Sequence, residues 1–278
     1  MKLIVLNAAE EQRENLLKAG ADRVVMPLQN GSFTAAQEYP ASSFNTPGTD
    51  ILLNRFFFPS EQEELTELLH EAEELPAEDV YFADPAVISL ASDKLKQKLV
   101  YHPDTLLTNS NDMSWWLARG IRSAVVSPLL TREETVSIIK ACPACTVQIH
   151  GHTLMAESRR PLLSSYAPEK NLPGKRNLFL REEKRQERMP VYENEHGTLV
   201  YSDFELMSFR EIRSFAEAGC TRFLINALFV PDDALADAVR AYRDILNGAD
   251  ALQAEKDCTE KYGYLPLGTG YYEEKTIK

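Results

Sequence analysis

The chain of 278 residues is 44% apolar and 26% charged, with a formal net charge of −12. It is long enough to bury a full core as one domain or two, has the balance of a soluble globular protein, and holds no run near the roughly eighteen apolar residues that span a bilayer. The acidic excess argues against diffuse binding to nucleic acid or to an anionic membrane surface.

Residues 3–6 form a short strand of the fully buried type, closed by Asn7. A helix over 10–18 follows, acidic at its start and basic at its end as the helix dipole favours. Gly20 ends it, because glycine takes the left-handed conformation freely. Strands over 23–26 and 50–54 come next, then a helix over 60–74 with Ser60 as its cap and Glu63 at capping-box spacing. Residues 80–83 form a strand ending at Asp84-Pro85, a helix occupies 87–94, and a strand over 98–101 ends at His102. Asp112 is read as the cap of a helix carrying Trp115 and Trp116, both taken as packing and rim residues, which stops at Gly120. A strand over 123–126 precedes a helix capped by Thr131, with Glu134 at capping-box spacing. The strand over 146–149 then runs into Gln148-Ile149-His150-Gly151-His152-Thr153-Leu154-Met155-Ala156-Glu157-Ser158-Arg159-Arg160-Pro161-Leu162-Leu163, after which the strand–helix rhythm stops. It resumes with a helix over 209–218, a strand over 222–225 ending at Asn226, and a helix from Asp232 or Asp233 to residue 246.

Eight short apolar strands alternating with helices argue for a parallel sheet covered by helices. The expected fold is an α/β, TIM-type (β/α)8 barrel made by residues 1–278 as a single domain, with a small β-rich insertion over 164–207 after the seventh strand. Within the insertion, 177–181 reads as a strand, and 190–193 and 198–201 flank Asn194-Glu195-His196-Gly197 as a hairpin. An open doubly wound sheet is the alternative, although no Gly-x-Gly-x-x-Gly follows the first strand, which weighs against its dinucleotide-binding form.

Barrel sites lie at the C-terminal ends of the strands. Those ends carry Asn7, Gln29, Asn54, Asp84, His102, His150 and Asn226, which are expected to converge on one mouth. His150, Glu157, Ser158 and Asp84 are the catalytic candidates. Asn54, Asp84, His102, His150, His152, Arg159, Arg160 and Asn226 are the binding candidates. His150 and His152 are expected to point to opposite sides, one packed and the other lining a cleft, so no shared metal is expected. Arginine's planar fork suits carboxylate and phosphate groups. Arg159 and Arg160 therefore bind an anion, or pair with Asp203, Glu205 or the acidic helices. Residues 157–188 hold nine basic against five acidic side chains, a basic island on an acidic body. It suits a local anionic ligand, or is a solvated loop of mixed charge. Four cysteines, Cys142, Cys145, Cys220 and Cys258, are too few for a disulfide framework at this size. Cys142-Pro143-Ala144-Cys145 precedes a strand rather than opening a helix, where thiolates are stabilised, so its spacing is taken as incidental. The N-terminal apolar run is too short for a signal peptide, and a cytoplasmic location is expected.

The chain resembles the collagenase-like peptidase family U-32. The residues that carry the likeness are His150-Gly151, Met155, Ser158, Arg160, Leu162-Leu163 and Tyr166. Supporting matches are Ala19-Gly20-Ala21-Asp22, Asn54 with Phe57, Asp84-Pro85-Ala86-Val87, the hairpin from Pro190-Val191-Tyr192-Glu193 to Gly197-Thr198, and Leu267-Gly268-Thr269-Gly270-Tyr271-Tyr272. The likeness covers nearly the whole chain and is to the short members typical of Gram-positive bacteria, which occur beside a longer family partner. It implies a barrel fold and one of two activities: peptide hydrolysis without an established catalytic residue, or hydroxylation of nucleic acid bases and ubiquinone precursors. The latter includes formation of 5-hydroxyuridine at the tRNA wobble position with prephenate as co-substrate. Several relatives hold an iron–sulfur cluster on four cysteines. Here Leu154 and Pro161 stand where two of those cysteines fall, so no cluster is expected. The Arg-Glu-Leu usual after the sixth strand is Ser127-Pro128-Leu129, and the glycine-rich loop after the second strand reads Gln29-Asn30-Gly31-Ser32-Phe33.

Three functions follow as expectations. The first is a subunit or accessory factor in tRNA wobble-uridine 5-hydroxylation, reaching tRNA through the basic segment 157–188 and acting with a longer family relative. The second is a collagenase-like peptidase, and the third a non-catalytic partner of a cluster-bearing relative. No membrane partner is expected.

Overall fold

The computed structural model describes residues 1–103, 106–175, 178–181, 183 and 187–274. Its strands are β1 (Lys2–Leu6), β2 (Arg23–Pro27), β3 (Thr49–Leu53), β4 (Val80–Phe82), β5 (Leu99–Tyr101), β6 (Ser123–Val126), β7 (Thr146–Gly151), β8 (Leu154–Ser158), β9 (Leu178–Leu180), β10 (Met189–Asn194), β11 (Gly197–Tyr201), β12 (Glu205–Met207), β13 (Arg222–Asn226) and β14 (Leu267–Gly268). Its α-helices are α1 (Arg13–Ala19), α2 (Gln62–Glu74), α3 (Ala86–Leu90), α4 (Asp93–Lys96), α5 (Ser110–Leu117), α6 (Arg132–Ala141), α7 (Leu162–Tyr166), α8 (Ile212–Glu217), α9 (Asp232–Leu246) and α10 (Ala251–Tyr262).

Strands β1 to β7 pair in sequence order, all parallel, and β13 pairs in parallel with both β7 and β1. The sheet is thereby closed into an eight-stranded barrel with helices between the strands, as the sequence pattern predicts. The reason lies in the two-residue period of a strand. In β1, Leu3 and Val5 join the layer under the helices, while Ile4 and Leu6 point to the barrel axis. The axis is filled by Ile4, Leu6, Val25, Leu52, Tyr81, Val100, Val125 and Leu224, so the barrel is a packed core and not a pore. Outside, α9 lays Leu235, Ala238, Val239, Tyr242 and Ile245 on the sheet at helical spacing.

The N-terminal end of the barrel is closed by charge. Arg222 reaches across the axis to the Asp79 carboxylate, to Tyr81 Oη (3.2 Å) and to Thr146 Oγ1 (3.1 Å). Arg122 Nε lies 3.2 Å from the other Asp79 oxygen, and Arg23 pairs with buried Asp50. Burial drives the Tyr81 phenol far above its ordinary pKa, so it stays neutral.

Several local expectations are corrected. The start of α2 is capped from a 3-10 turn at Pro59–Glu61, where Glu61 accepts the Phe58 amide at 2.6 Å, rather than by Ser60 and Glu63. Asn109, not Asp112, caps α5, because its Oδ1 accepts the Asp112 amide at 2.9 Å. The helix expected over 87–94 is the two helices α3 and α4, broken by Ser92, whose hydroxyl starts the second. The box of Thr131 and Glu134 on α6 forms as expected. The sequence reading did not include α10 and β14.

Strands β8, β11, β10 and β9 make a separate antiparallel sheet in that order. It takes its first strand from Leu154–Ser158, upstream of residue 164 where the insertion was expected to begin. Asn177, expected to open β9, lies outside the described residues. The sheet forms a lid over the C-terminal mouth, with Leu199, Tyr201 and Leu154 packed on Phe33, Ala35 and Leu228. The chain returns through β12, antiparallel to the end of β7.

Removing one partner from a buried ion pair leaves the other charged and unpaired. Asp79→Ala is therefore expected to destabilise the barrel by about 3–5 kcal/mol, as measured by urea unfolding followed by circular dichroism.

Candidate functional site

The site is set by how β7 ends. Gly151 has φ +93°, and a Cβ placed there would lie 2.1 Å from the Asn226 carbonyl oxygen. Only glycine fits this close approach. Just before it, the pairing with β13 slips, Leu224 facing Gln148 and Ile225 facing His150, which is a β-bulge. The two histidines do diverge, but through this kink. Regular extended backbone would place residues two apart on one face.

His150 lies behind the strand, in the layer under α9, rather than at the mouth. The Tyr242 hydroxyl gives its proton to the Ile149 carbonyl (2.7 Å) and accepts the Ser208 amide (2.9 Å), so His150 Nδ1 donates to it at 3.2 Å. His150 Nε2 faces Glu205 Oε1 at 3.0 Å. Glu205 thus pairs with His150, and not with Arg159 or Arg160 as considered from sequence. His152 turns the other way. Its Nδ1 donates to the Ser202 carbonyl at 2.9 Å, and burial pushes its pKa below the ordinary value.

The mouth residues are largely tied to one another. Thr34 Oγ1 donates to Asn7 Oδ1 (2.9 Å), Asn7 Nδ2 to Asn226 Oδ1 (3.0 Å), and Asn226 Nδ2 to the His152 carbonyl (2.9 Å). Asn54 accepts the Phe33 amide at 2.9 Å. Asp84 accepts the amides of Phe57 (2.9 Å) and Ala86 (2.8 Å), holding the loop after β3 to the start of α3. His102 is buried edge-on to Tyr81. Asn7, Asn54, His102 and Asn226 line a cavity of about 10 Å³ together with Phe33, Leu154, Tyr201 and Leu228, room for about one water. Gln29 is exposed and does not join them.

The accessible pocket lies to one side, with a volume of about 530 Å³. Its lining includes Asn7, Gln12, Gln37, His152, Phe179, Arg188, Glu205 and Phe229. Phe229 holds φ +65°, an uncommon conformation for a bulky residue, and stands edge-on to His152 at 5.8 Å. Arg188, Glu205 and Phe229 were not singled out as site residues from sequence. A usable signal for Glu205 was a carboxylate flanked by Phe204, Leu206 and Met207, a buried-type run with one charge in it.

The candidates on the lid are separate from this pocket. Glu157 is exposed on β8. Ser158 Oγ accepts the Arg160 amide at 3.2 Å. Arg159 lies over the Phe58 ring at 5.0 Å and 3.7 Å from Glu61, while Arg160 is exposed. Within the basic segment, Arg176, Glu182, Lys184 and Arg185 lie outside the described residues. A further buried carboxylate, Glu193, clasps the lid. It accepts the amides of Leu163 (2.7 Å) and Ser164 (3.1 Å) and the hydroxyls of Ser164 (2.5 Å) and Thr198 (2.8 Å). Gly197 makes the turn beside it, with φ +136° and room for no side chain against the Ser158 carbonyl.

Cys145 and Cys220 are buried in contact with each other just ahead of β7 and β13, Cys142 sits by Ser114 Oγ at 3.3 Å, and Cys258 is on α10. Among the described residues, no three His, Cys, Asp or Glu side chains group as metal ligands, and no helix is long and apolar enough to cross a membrane.

The family model described as peptidase family U32 matches residues 48–272. The tRNA hydroxylation protein P2 of Bacillus subtilis (strain 168) is 24% identical over 246 residues, covering 82% of this chain and 80% of that protein. Among solved structures, the U32 peptidase Mk0906 superposes with a TM-score of 0.50 at 15% identity, over 83% of this chain and 94% of that one.

The Glu193 clasp carries a pH prediction. Burial raises its pKa, but hydrogen bonds from Ser164, Thr198 and the two amides outweigh that and hold it below the ordinary glutamate value. A depressed folded pKa gives stability that is present above the unfolded value of about 4.3 and lost as pH falls through the folded value. Hydrogen exchange at the Leu163 and Ser164 amides, relative to intrinsic rates, should stay slow at neutral pH and accelerate only in acid. Glu193→Gln should exchange fast at every pH.

Proposed function

The chain belongs to peptidase family U32, and from that premise we propose that it is a subunit or accessory factor in tRNA hydroxylation at C5 of the wobble uridine, without an iron–sulfur cluster of its own. The observation that carries this reading is the match of 82% of the chain to a tRNA hydroxylation protein. The side pocket supports it, being of ligand size, with aromatic and polar walls and Arg188, the last residue of the basic segment, in its lining. On this reading the exposed Arg160 and Arg188 meet tRNA phosphates, and the pocket takes the base or the co-substrate prephenate that the family resemblance implies. A longer family relative would supply the cluster, since Leu154 and Pro161 stand here where the resemblance places two of its cysteines.

A peptidase mechanism finds less support. A serine nucleophile needs a base within hydrogen-bond reach, yet Ser158 is on the lid while His150 is engaged by Glu205 and Tyr242 beneath α9.

Mass spectrometry of tRNA from a deletion strain with no second family copy is expected to show loss of 5-hydroxyuridine derivatives, restored by the wild-type gene. Unchanged derivatives would sink the proposal. Arg188→Ala should restore roughly tenfold less modification, the scale of one lost charge-assisted contact. Full restoration by Arg188→Ala and Arg160→Ala together would assign the protein a scaffolding role instead.

A further inference from the structure

Phe229 stands at the side pocket in a backbone conformation that its own side chain disfavours. The Val230 amide donates to the Ala227 carbonyl at 3.2 Å, closing a four-residue turn directly after β13, and Phe229 holds the third position with φ +65°. Turns with a positive φ there favour glycine or asparagine, because a Cβ is strained in that region. A bulky ring at such a position costs free energy, and strained positions of this kind collect at ligand sites. Core packing alone does not call for it. Leu228, one residue earlier, is buried against Phe33, Ala35 and the lid, while Phe229 is only partly buried and lines the pocket. Its ring is fixed by two steeply inclined neighbours, His152 at 5.8 Å and Tyr201 at 5.1 Å.

A second ring comes from the lid. Phe179 is 51% exposed on β9, an edge strand of the lid sheet, and pairs in register with Pro190. Residues paired across two strands share a face of the sheet, and both of these line the same pocket. A pocket of about 530 Å³ thus carries one ring from a barrel turn and another from the lid, with the cation Arg188 just before β10. Aromatic side chains open to a pocket of this size suit a planar ring, and every nucleobase has a π-face.

We propose that Phe229 and Phe179 are the aromatic walls of a nucleobase subsite in the side pocket, Phe229 the fixed wall and Phe179 the wall supplied by the lid. The choice of uracil as the base rests on the tRNA reading above. The pocket then takes the base rather than the co-substrate, and the attached phosphate lies on the Arg188 side.

The test is calorimetric titration of the full chain with uridine 5′-monophosphate and with ribose 5-phosphate, which keeps the sugar and the phosphate but lacks the ring. The nucleotide is expected to bind about tenfold more tightly or better, the scale of one base stacked on an aromatic side chain. Equal binding of the two, or no nucleotide binding at millimolar concentration, overturns the inference. Phe229→Gly suits the positive φ, so it should keep the fold, checked by thermal melting, and bind the two ligands alike. Phe229→Tyr should keep the preference. A Phe229 that only shapes the pocket would lower both affinities together, and an unchanged ratio in folded Phe229→Gly removes the fixed wall. Phe179→Ala should cut the ratio, and an unchanged ratio there removes the lid wall. If Phe229→Gly does not fold, the wild-type ligand pair and Phe179→Ala, a change on an exposed edge strand, still decide. The tRNA measurement separates this subsite from the proposed function. Normal wobble hydroxylation in the deletion strain beside a clear preference for the nucleotide would remove the proposed function and keep the subsite. Lost hydroxylation beside equal binding of the two ligands would do the reverse.

Discussion

At Gly151 the backbone turns with φ +93° against the Asn226 carbonyl, where a side chain would be 2.1 Å from that oxygen. The close contact lets β13 lie against the end of β7, which closes the barrel. The same kink sends His150 and His152 to different sides and directs the chain outward into β8. The returning strand β12 pairs back onto Gly151 and His150, which brings Glu205 to the histidine it meets. Barrel closure, the lid and the His150–Glu205 pair thus share one backbone constraint.

The two ends of the barrel are closed by opposite means. The N-terminal end is sealed by charge, with Asp79 between Arg222 and Arg122, and Asp50 held by Arg23. Buried pairs of this kind contribute little net stability but are costly to break. The C-terminal end is sealed by apolar side chains of the lid and by a chain of asparagine hydrogen bonds beneath them. The usual axial site of a barrel is thereby reduced to about 10 Å³, and a pocket of about 530 Å³ lies at the margin beside β1 and β13.

Two buried glutamates near this margin are held in different ways. Glu193 receives four hydrogen bonds and is held below its ordinary pKa, so it acts as a fixed clasp between the lid hairpin and α7. Glu205 instead faces the His150 ring, Oε1 lying 3.0 Å from Nε2. Both are about equally buried. The difference is in satisfied hydrogen-bonding capacity, which sets how firmly a buried polar group rigidifies the fold.

What the sequence determined by itself was the barrel and its rhythm. Apolar runs such as Leu3-Ile4-Val5-Leu6 are buried on both faces, and strand–helix alternation follows from local periodicity. The hairpin around Gly197 and the Thr131–Glu134 box were legible for the same reason, since each depends on residues a few positions apart. The strand-end residues Asn7, Asn54 and Asn226 were legible as mouth residues, but not as partners that satisfy neighbouring groups around a small cavity. That His150 faces Glu205 across 55 positions, and Tyr242 across 92, was decided only by the tertiary structure. So was the separation of Ser158 and Arg160 on the lid from His152 and Arg188 at the pocket. Local pattern reports which face of a strand is apolar. Which polar atoms meet, and which are left without a partner, depends on a bulge, a glycine kink and an antiparallel return whose combined geometry no short-range periodicity encodes.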